Sequence, residues 1–201
     1  MHTFIKTLMI CAALSAPGSA ATLTWSAALT GSQELPPNVS TATGYGWVQF
    51  DGSTNVLSAS VNWQGLTGSA VQSHIHCCVA SPPGNVGIAI DLWLAASPQP
   101  ASGAFSNSWD LDLVNPFRAA FVTANGGTVP GALAALLAAM DSNQGRAYFN
   151  IHTAAYPGGE IRGDISQVPE PATLLSVIGG LGLLLLRRRT AMIARARKSD
   201  A

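Results

Sequence analysis

Apolar and polar residues alternate with a period of two through most of this chain. From Thr22 to Thr30, Leu23, Trp25, Ala27 and Leu29 fall on every second position, and from Asn55 to Gln64, Leu57, Ala59, Val61 and Trp63 do the same. Side chains two apart share one face of an extended strand, so each segment predicts a strand with one buried face and one solvated face. Asp51-Gly52 follows a run ending at Phe50 as a hairpin signal, and Gly65 to Gly68 punctuates the next gap. Further strands are expected at Ala70 to His76, Gly87 to Leu94, Ala104 to Leu113, Arg146 to Thr153 and Glu160 to Ile165. Two segments break the alternation. Asn115-Pro116 offers a cap and a first-turn proline for a short helix ending before Gly126-Gly127, and Thr128 caps an alanine- and leucine-rich helix from Val129 to Met140. The pattern predicts a mainly β fold: an antiparallel Greek-key-like sandwich or barrel with one or two short helices. Trp25, Trp63, Phe149 and Ile151 hold the apolar phases of their strands and are expected in the core.

At the two ends, continuous apolar runs replace the alternation. Met1 to Ala20 carries Lys6, an apolar stretch from Leu8 to Leu14 and the small residues Gly18-Ser19-Ala20, the order of a cleaved secretory signal. At the other end Val168-Pro169-Glu170-Pro171 precedes an uncharged run from Ala172 to Leu186, closed by Arg187-Arg188-Arg189. As a helix that run is roughly 23 Å long at ~1.5 Å per residue, short of the ~30 Å hydrocarbon core of a bilayer. The basic residues from Arg187 to Lys198 favour the cytoplasmic side, which leaves the rest in the periplasm. The expected organisation is a signal peptide (1–20), a β domain (21–166), a sorting segment with a transmembrane helix (167–189) and a basic cytoplasmic tail (190–201). The order of Val-Pro-Glu-Pro, short apolar helix and arginine cluster resembles the PEP-CTERM sorting signals of Gram-negative bacteria. That resemblance implies transient residence in the inner membrane, processing by an exosortase-type transpeptidase near the Pro-Glu-Pro, and delivery to the cell surface or extracellular matrix. A plain C-terminal anchor is the alternative reading of the same helix.

Charge narrows the partners. The formal net charge is zero, yet between Ala21 and Ser166 eight acids face three arginines, a balance of −5. Phosphate binding needs a basic groove, so nucleic acid is excluded as a partner of the domain. About 145 residues suffice for one hydrophobic core.

Three segments carry a second resemblance. Leu29 to Pro37 (LTGSQELPP), Gly65 to His76 (GLTGSAVQSHIH) and Ala147 to Ile165 (AYFNIHTAAYPGGEIRGDI) are similar to successive blocks of the CHRD domain, the module named from chordin. The resemblance implies a β-rich extracellular module and assigns it no chemistry.

The residues of those blocks suggest chemistry of their own. Setting Ile151 opposite Ile161 puts His152 opposite Glu160, Asn150 opposite Arg162 and Tyr148 opposite Asp164, with the apolar residues sharing the other face. His74 and His76, two apart, project from one face of their strand. With His152 they form a candidate set for copper or zinc, with Glu160 orienting His152 from behind. The bland alternative is a polar cross-strand ladder that pins the hairpin. Gly65-Leu66-Thr67 with His-Ile-His is also similar, more faintly, to the copper strand of Cu,Zn superoxide dismutases. Such a dismutase needs a bridging histidine that three residues do not provide, so no enzyme is expected. For Cys77 and Cys78 three readings stand: a vicinal disulfide, thiols ligating a soft ion beside the imidazoles, or pairing between molecules. The favoured function is a non-enzymatic module of the cell envelope or matrix, acting in adhesion or in binding envelope polysaccharide or a surface protein. A periplasmic or surface metal-binding protein, redox-active or not, is the rival.

Overall fold

The computed structural model describes residues 22–93 and 98–168. The expected signal peptide and apolar C-terminal helix lie outside them. Among the described residues no helix is long and apolar enough to cross a membrane. Nine strands of the described residues form one sheet: β1 (Thr22–Thr30), β2 (Thr43–Asp51), β3 (Val56–Gln64), β4 (Ala70–Cys77), β5 (Ile88–Trp93), β6 (Gly103–Asp110), β7 (Ala147–Thr153), β8 (Ile161–Asp164) and β9 (Ser166–Gln167). Two helices, α1 (Ala119–Ala124) and α2 (Val129–Asp141), separate β6 from β7. The strand order is β5-β4-β7-β8-β1-β2-β3-β6, with β9 beside β1, and all pairings are antiparallel. The result is a mainly β, nearly closed barrel-like sheet.

Alternation sets the inside. Trp25, Leu29, Val48, Leu57, Val61, Ile75, Phe149 and Ile151 are fully buried, and Trp63 retains 3 % of its surface. The four residues assigned inward from the sequence are therefore in the core. Helix α2 adds Leu136 and Met140 to it, and Thr128 Oγ1 caps the helix by accepting from the Gly131 N–H at 3.1 Å. Ile151 pairs with Ile161, Asn150 with Arg162 and Tyr148 with Asp164, the register that the alternation demands.

Three boundaries differ from expectation. The first helix starts at Ala119, because Asn115 Oδ1 accepts from the Phe117 N–H at 2.9 Å and Phe117 forms an isolated bridge to Ile90. Asn115 thus caps a turn, and the helix waits for the chain to leave the bridge. Strand β6 ends at Asp110, whose carbonyl accepts from the Leu113 and Val114 N–H groups and folds the next residues into a turn. The β2–β3 connection spans Gly52 to Asn55, with Asp51 Oδ1 accepting from the Ser53 N–H and Asn55 at φ 52°.

The outward faces of the sheet divide in two. Along β1, β2, β3 and β6 they are solvated. Along β4, β7 and β8 they bear His, Asn, Tyr and Arg side chains that are nonetheless largely buried. The loop after β4 reaches this polar face: Asn85 Oδ1 accepts from Arg162 Nη1, and Asn85 Nδ2 donates to the Leu35 carbonyl.

Candidate metal centre

Strands β4 and β7 pair so that His74 faces Asn150 and His76 faces Tyr148, with His152 opposite Gln72. Alternation turns His74, His76 and His152 onto one face. Ring centroids lie 4.9 Å apart for His74 and His152 and 5.5 Å for His74 and His76. One nitrogen from each ring joins a cluster in which no two atoms are more than 4.8 Å apart. His74 is 2 % exposed.

Backbone carbonyls fix the tautomers of two rings. A carbonyl oxygen can only accept, so the contact of His152 Nδ1 with the Pro157 oxygen at 2.8 Å puts the hydrogen on Nδ1 and leaves Nε2 a lone pair. The contact of His76 Nδ1 with the Val86 oxygen at 2.7 Å does the same, and His76 Nε2 has no hydrogen-bond partner among the described residues. His74 is caught between two demands. Its Nε2 stands 3.4 Å from Asp91 Oδ1, and its Nδ1 stands 3.1 Å from the lone pair of His152 Nε2. A hydrogen on Nε2 suits the carboxylate and sets two lone pairs against each other. A hydrogen on Nδ1 joins the rings and turns a bare nitrogen toward the carboxylate. Every neutral form thus leaves one acceptor facing another.

Protonating His74 would settle the conflict, and burial opposes it. Desolvation, reinforced by the neighbouring His152 and His76 rings and only partly offset by Asp91, pushes the His74 pKa down to about 3. His76 is lowered by burial against the pull of the Val86 carbonyl, and His152 by burial against that of Pro157. All three imidazoles are therefore neutral near pH 7, the state that ligates metals. A cation seated among His74 Nδ1, His76 Nε2 and His152 Nε2 would take up all three lone pairs, leaving the His76 and His152 outer nitrogens on Val86 and Pro157 and that of His74 facing Asp91. Two nitrogens each ~2.0–2.1 Å from a tetrahedral ion stand roughly 3.3 Å apart, close to the His74–His152 spacing. Closing the widest gap takes one to two ångströms, within reach of side-chain adjustment.

The surroundings hold the rings still. His76 stacks on Tyr148 at 4.6 Å and 3°, and Arg162 lies over the Tyr148 ring at 3.4 Å. Asp91 is held by two 2.7 Å bonds from Arg118. Asn150 Oδ1 lies 3.1 Å from His152 Nε2, so with the hydrogen on Nδ1 a second acceptor faces the bare nitrogen unless the Asn150 amide turns its N–H toward it.

Two sequence expectations need correction here. Glu160 does not back His152: its carboxylate accepts from Ser40 Oγ (2.7 Å), the Thr67 N–H (2.9 Å), Thr67 Oγ1 (2.8 Å) and Thr153 Oγ1 (2.7 Å). The Glu160 N–H bonds to the Ile151 carbonyl just beyond the paired register, and the side chain joins Thr153, next to His152 on β7 and on its opposite face. Burial would raise this carboxyl, but the hydrogen bonds outweigh it and hold Glu160 below the usual carboxylate range. Nor do the thiols ligate an ion beside the imidazoles. Cys77 and Cys78 are joined by a disulfide, and their sulfurs lie 4.0 and 3.5 Å from the Ala135 carbonyl of α2, on the core side of β4. The partners that set the tautomers, Asp91, Val86 and Pro157, were missed from sequence. Two act through backbone oxygens, which leave no mark on residue identity, and Asp91 reads as one more outward polar residue of β5.

A nearly closed antiparallel barrel with a loop-covered histidine cluster on one outer face defines a small β module with a candidate cation site. The chain belongs to the CHRD domain family, which matches residues 25–165. No curated protein and no solved structure matches it. Membership is consistent with an extracellular or periplasmic module.

Proposed function

We propose that this protein is an exported, non-enzymatic module of the cell envelope, sorted through Val168 to Pro171 and Arg187 to Arg189, whose domain holds one copper or zinc ion on His74, His76 and His152. The observation that carries the metal reading is the convergence of three neutral imidazoles, two of which already donate their outer N–H to a backbone carbonyl while the third has a carboxylate 3.4 Å from its outer nitrogen. Metal-ligating histidines commonly donate their second N–H to a carbonyl or carboxylate, as His76 does to Val86 and His152 to Pro157, and Asp91 stands 3.4 Å from that of His74. Imidazole suits copper and zinc, and copper(II) binds such sites more tightly than zinc in the general order of divalent ions. The three neutral ligands leave a fourth position for water or a further donor.

Titration of the metal-free full chain with copper and with zinc tests the reading. One ion per chain is expected, with tighter copper binding. His74→Ala or His152→Ala should abolish the high-affinity phase, and Asp91→Asn should weaken it about 10–100-fold. A melting temperature that rises with metal in the parent and not in His74→Ala would report the same linkage. Undiminished binding in both histidine variants, or no binding at all, would sink it.

A further inference from the structure

The solvated face of β1, β2, β3 and β6 is separated from the histidines by β8 in the sheet order. Its residues form straight cross-strand rows. Ser26, Trp47, Ser60 and Ser106 make one row, and Ala28, Tyr45, Asn62 and Ala104 the next. The row on the other side of Trp47 is Thr24, Gln49, Ser58 and Ser108. Charge appears only in the end row, at Asp51 and Asp110. Solvated strands ordinarily carry Lys, Glu or Asp for solubility, so a broad surface of hydroxyls and amides is a departure that calls for a reason.

Three features make this face a platform. Its polar groups are tied to one another: Gln49 Nε2 donates to Thr24 Oγ1 at 3.3 Å, Gln64 Nε2 to Thr43 Oγ1 at 3.2 Å, and the Ser58 and Ser108 hydroxyls lie 2.8 Å apart. Ordering of donors and acceptors before contact lowers the entropic cost of binding. Tyr45, 45 % exposed, and half-buried Trp47 stand two residues apart on β2, ~6.8 Å at a strand's rise. Shallow hollows of about 300 and 390 Å³ lie toward its two ends, one beside Tyr45 and Asn62 and the other beside Gln49 and Ser58.

We propose that this face binds a neutral polysaccharide, with sugar rings laid on Tyr45 and Trp47 and their hydroxyls bonded to the flanking serines, threonines and amides. The electron-rich ring faces attract the C–H side of a sugar, and the polar rows match an uncharged polymer that presents both donors and acceptors. Charge decides against the alternatives. The domain's balance of −5 repels acidic polymers, and the central rows offer no carboxylate to a basic one. This surface goes beyond the metal reading and stands without it.

The test is a pull-down of the purified full chain on a panel of neutral glucan, mannan, galactan and xylan, with alginate as the acidic control. Retention on at least one neutral polymer is expected, unchanged up to about 0.5 M salt because no ion pair is involved. It should fall at least tenfold in Tyr45→Ala/Trp47→Ala and persist in His74→Ala, which separates it from the metal site. Should the aromatic pair fail to fold, Asn62→Glu and Ser106→Glu, both at exposed positions, put charge on the platform and should abolish retention with the melting temperature kept. No retention on any neutral polymer, retention untouched by these variants, or binding only to alginate or to protein overturns the proposal.

Discussion

Two carboxyls adjacent in space to one loop behave in opposite ways. Glu34 is 5 % exposed, packs against Gly159, and has an Oε1 without a hydrogen-bond partner among the described residues. Burial raises its pKa to about 7, against the pull of Arg162 and the Leu35 N–H. The folded state therefore holds this proton more tightly than the unfolded chain, and the stability it contributes is lost as pH rises from about 4.5 to about 7. Glu34→Gln should flatten that slope and leave the variant more stable than the parent above pH 7, on the order of 3 kcal/mol at most, read by urea unfolding across pH. An unchanged slope would show that Glu34 titrates as a solvated carboxyl. Glu160 has the opposite sign: its pKa is depressed, so its contribution is present above the unfolded value of 4.5 and fades as pH falls below it. Glu160→Ala removes the acceptor of four donors, of which only the Thr153 hydroxyl is on a buried residue, and should cost about 1–3 kcal/mol. Gly159 has φ 128°, and a Cβ there would meet the Glu34 carboxylate, so Gly159→Ala should destabilise as well.

At the level of elements, β2 and β7 meet through a glycine. A Cβ on Gly46 would sit 2.7 Å from Phe149 Cε2, so the absence of a side chain on β2 is what lets the Phe149 ring lie flat in the core. Phe149→Ala should cost about 3–5 kcal/mol, and Gly46→Ala about 1–3 kcal/mol through overpacking. Against a total of ~5–15 kcal/mol both are visible in a thermal melt. Because the two residues share one contact, the double variant should cost less than the sum, and strict additivity would place them apart. The strand pattern was legible in the sequence here because burial on one face forces alternation, and a register slip of one residue would have put Tyr148, Asn150 and His152 in the core. The start of α1 was not legible: Asn115-Pro116 has the residues of a helix cap, and only the tertiary bridge from Phe117 to Ile90 diverts them into a turn.

For the whole molecule, the proposed route of export gives its own experiment. Replacing Pro169-Glu170-Pro171 with alanines should trap the chain in the inner membrane, while the parent should lose its C-terminal segment on reaching the surface. Full-length protein as the stable species in parent cells would favour a simple anchor. The proposed metal and polysaccharide sites lie on different strands of the sheet's outer face, so loss of either should leave the other and the fold intact.

Alternation and turn residues determined the strands, the inward set of Trp25, Trp63, Phe149 and Ile151, and the β7–β8 pairing, since each follows from local geometry and from which face must leave water. The sequence also placed His74 and His76 on one side of a strand. What brought His152 to them was the pairing of β4 with β7, strands about seventy residues apart in the chain. Only the tertiary structure decided the rest of the site: that the loop after β4 folds back to give Val86 to His76, that Pro157 holds His152, and that Asp91 reaches His74 from β5. It also turned Glu160 to the far face, where three hydroxyls and an amide N–H satisfy it better than an imidazole would. Backbone carbonyls and long-range pairings carry no residue signature, so the direction of a lone pair is settled by the fold and not by the residue that owns it.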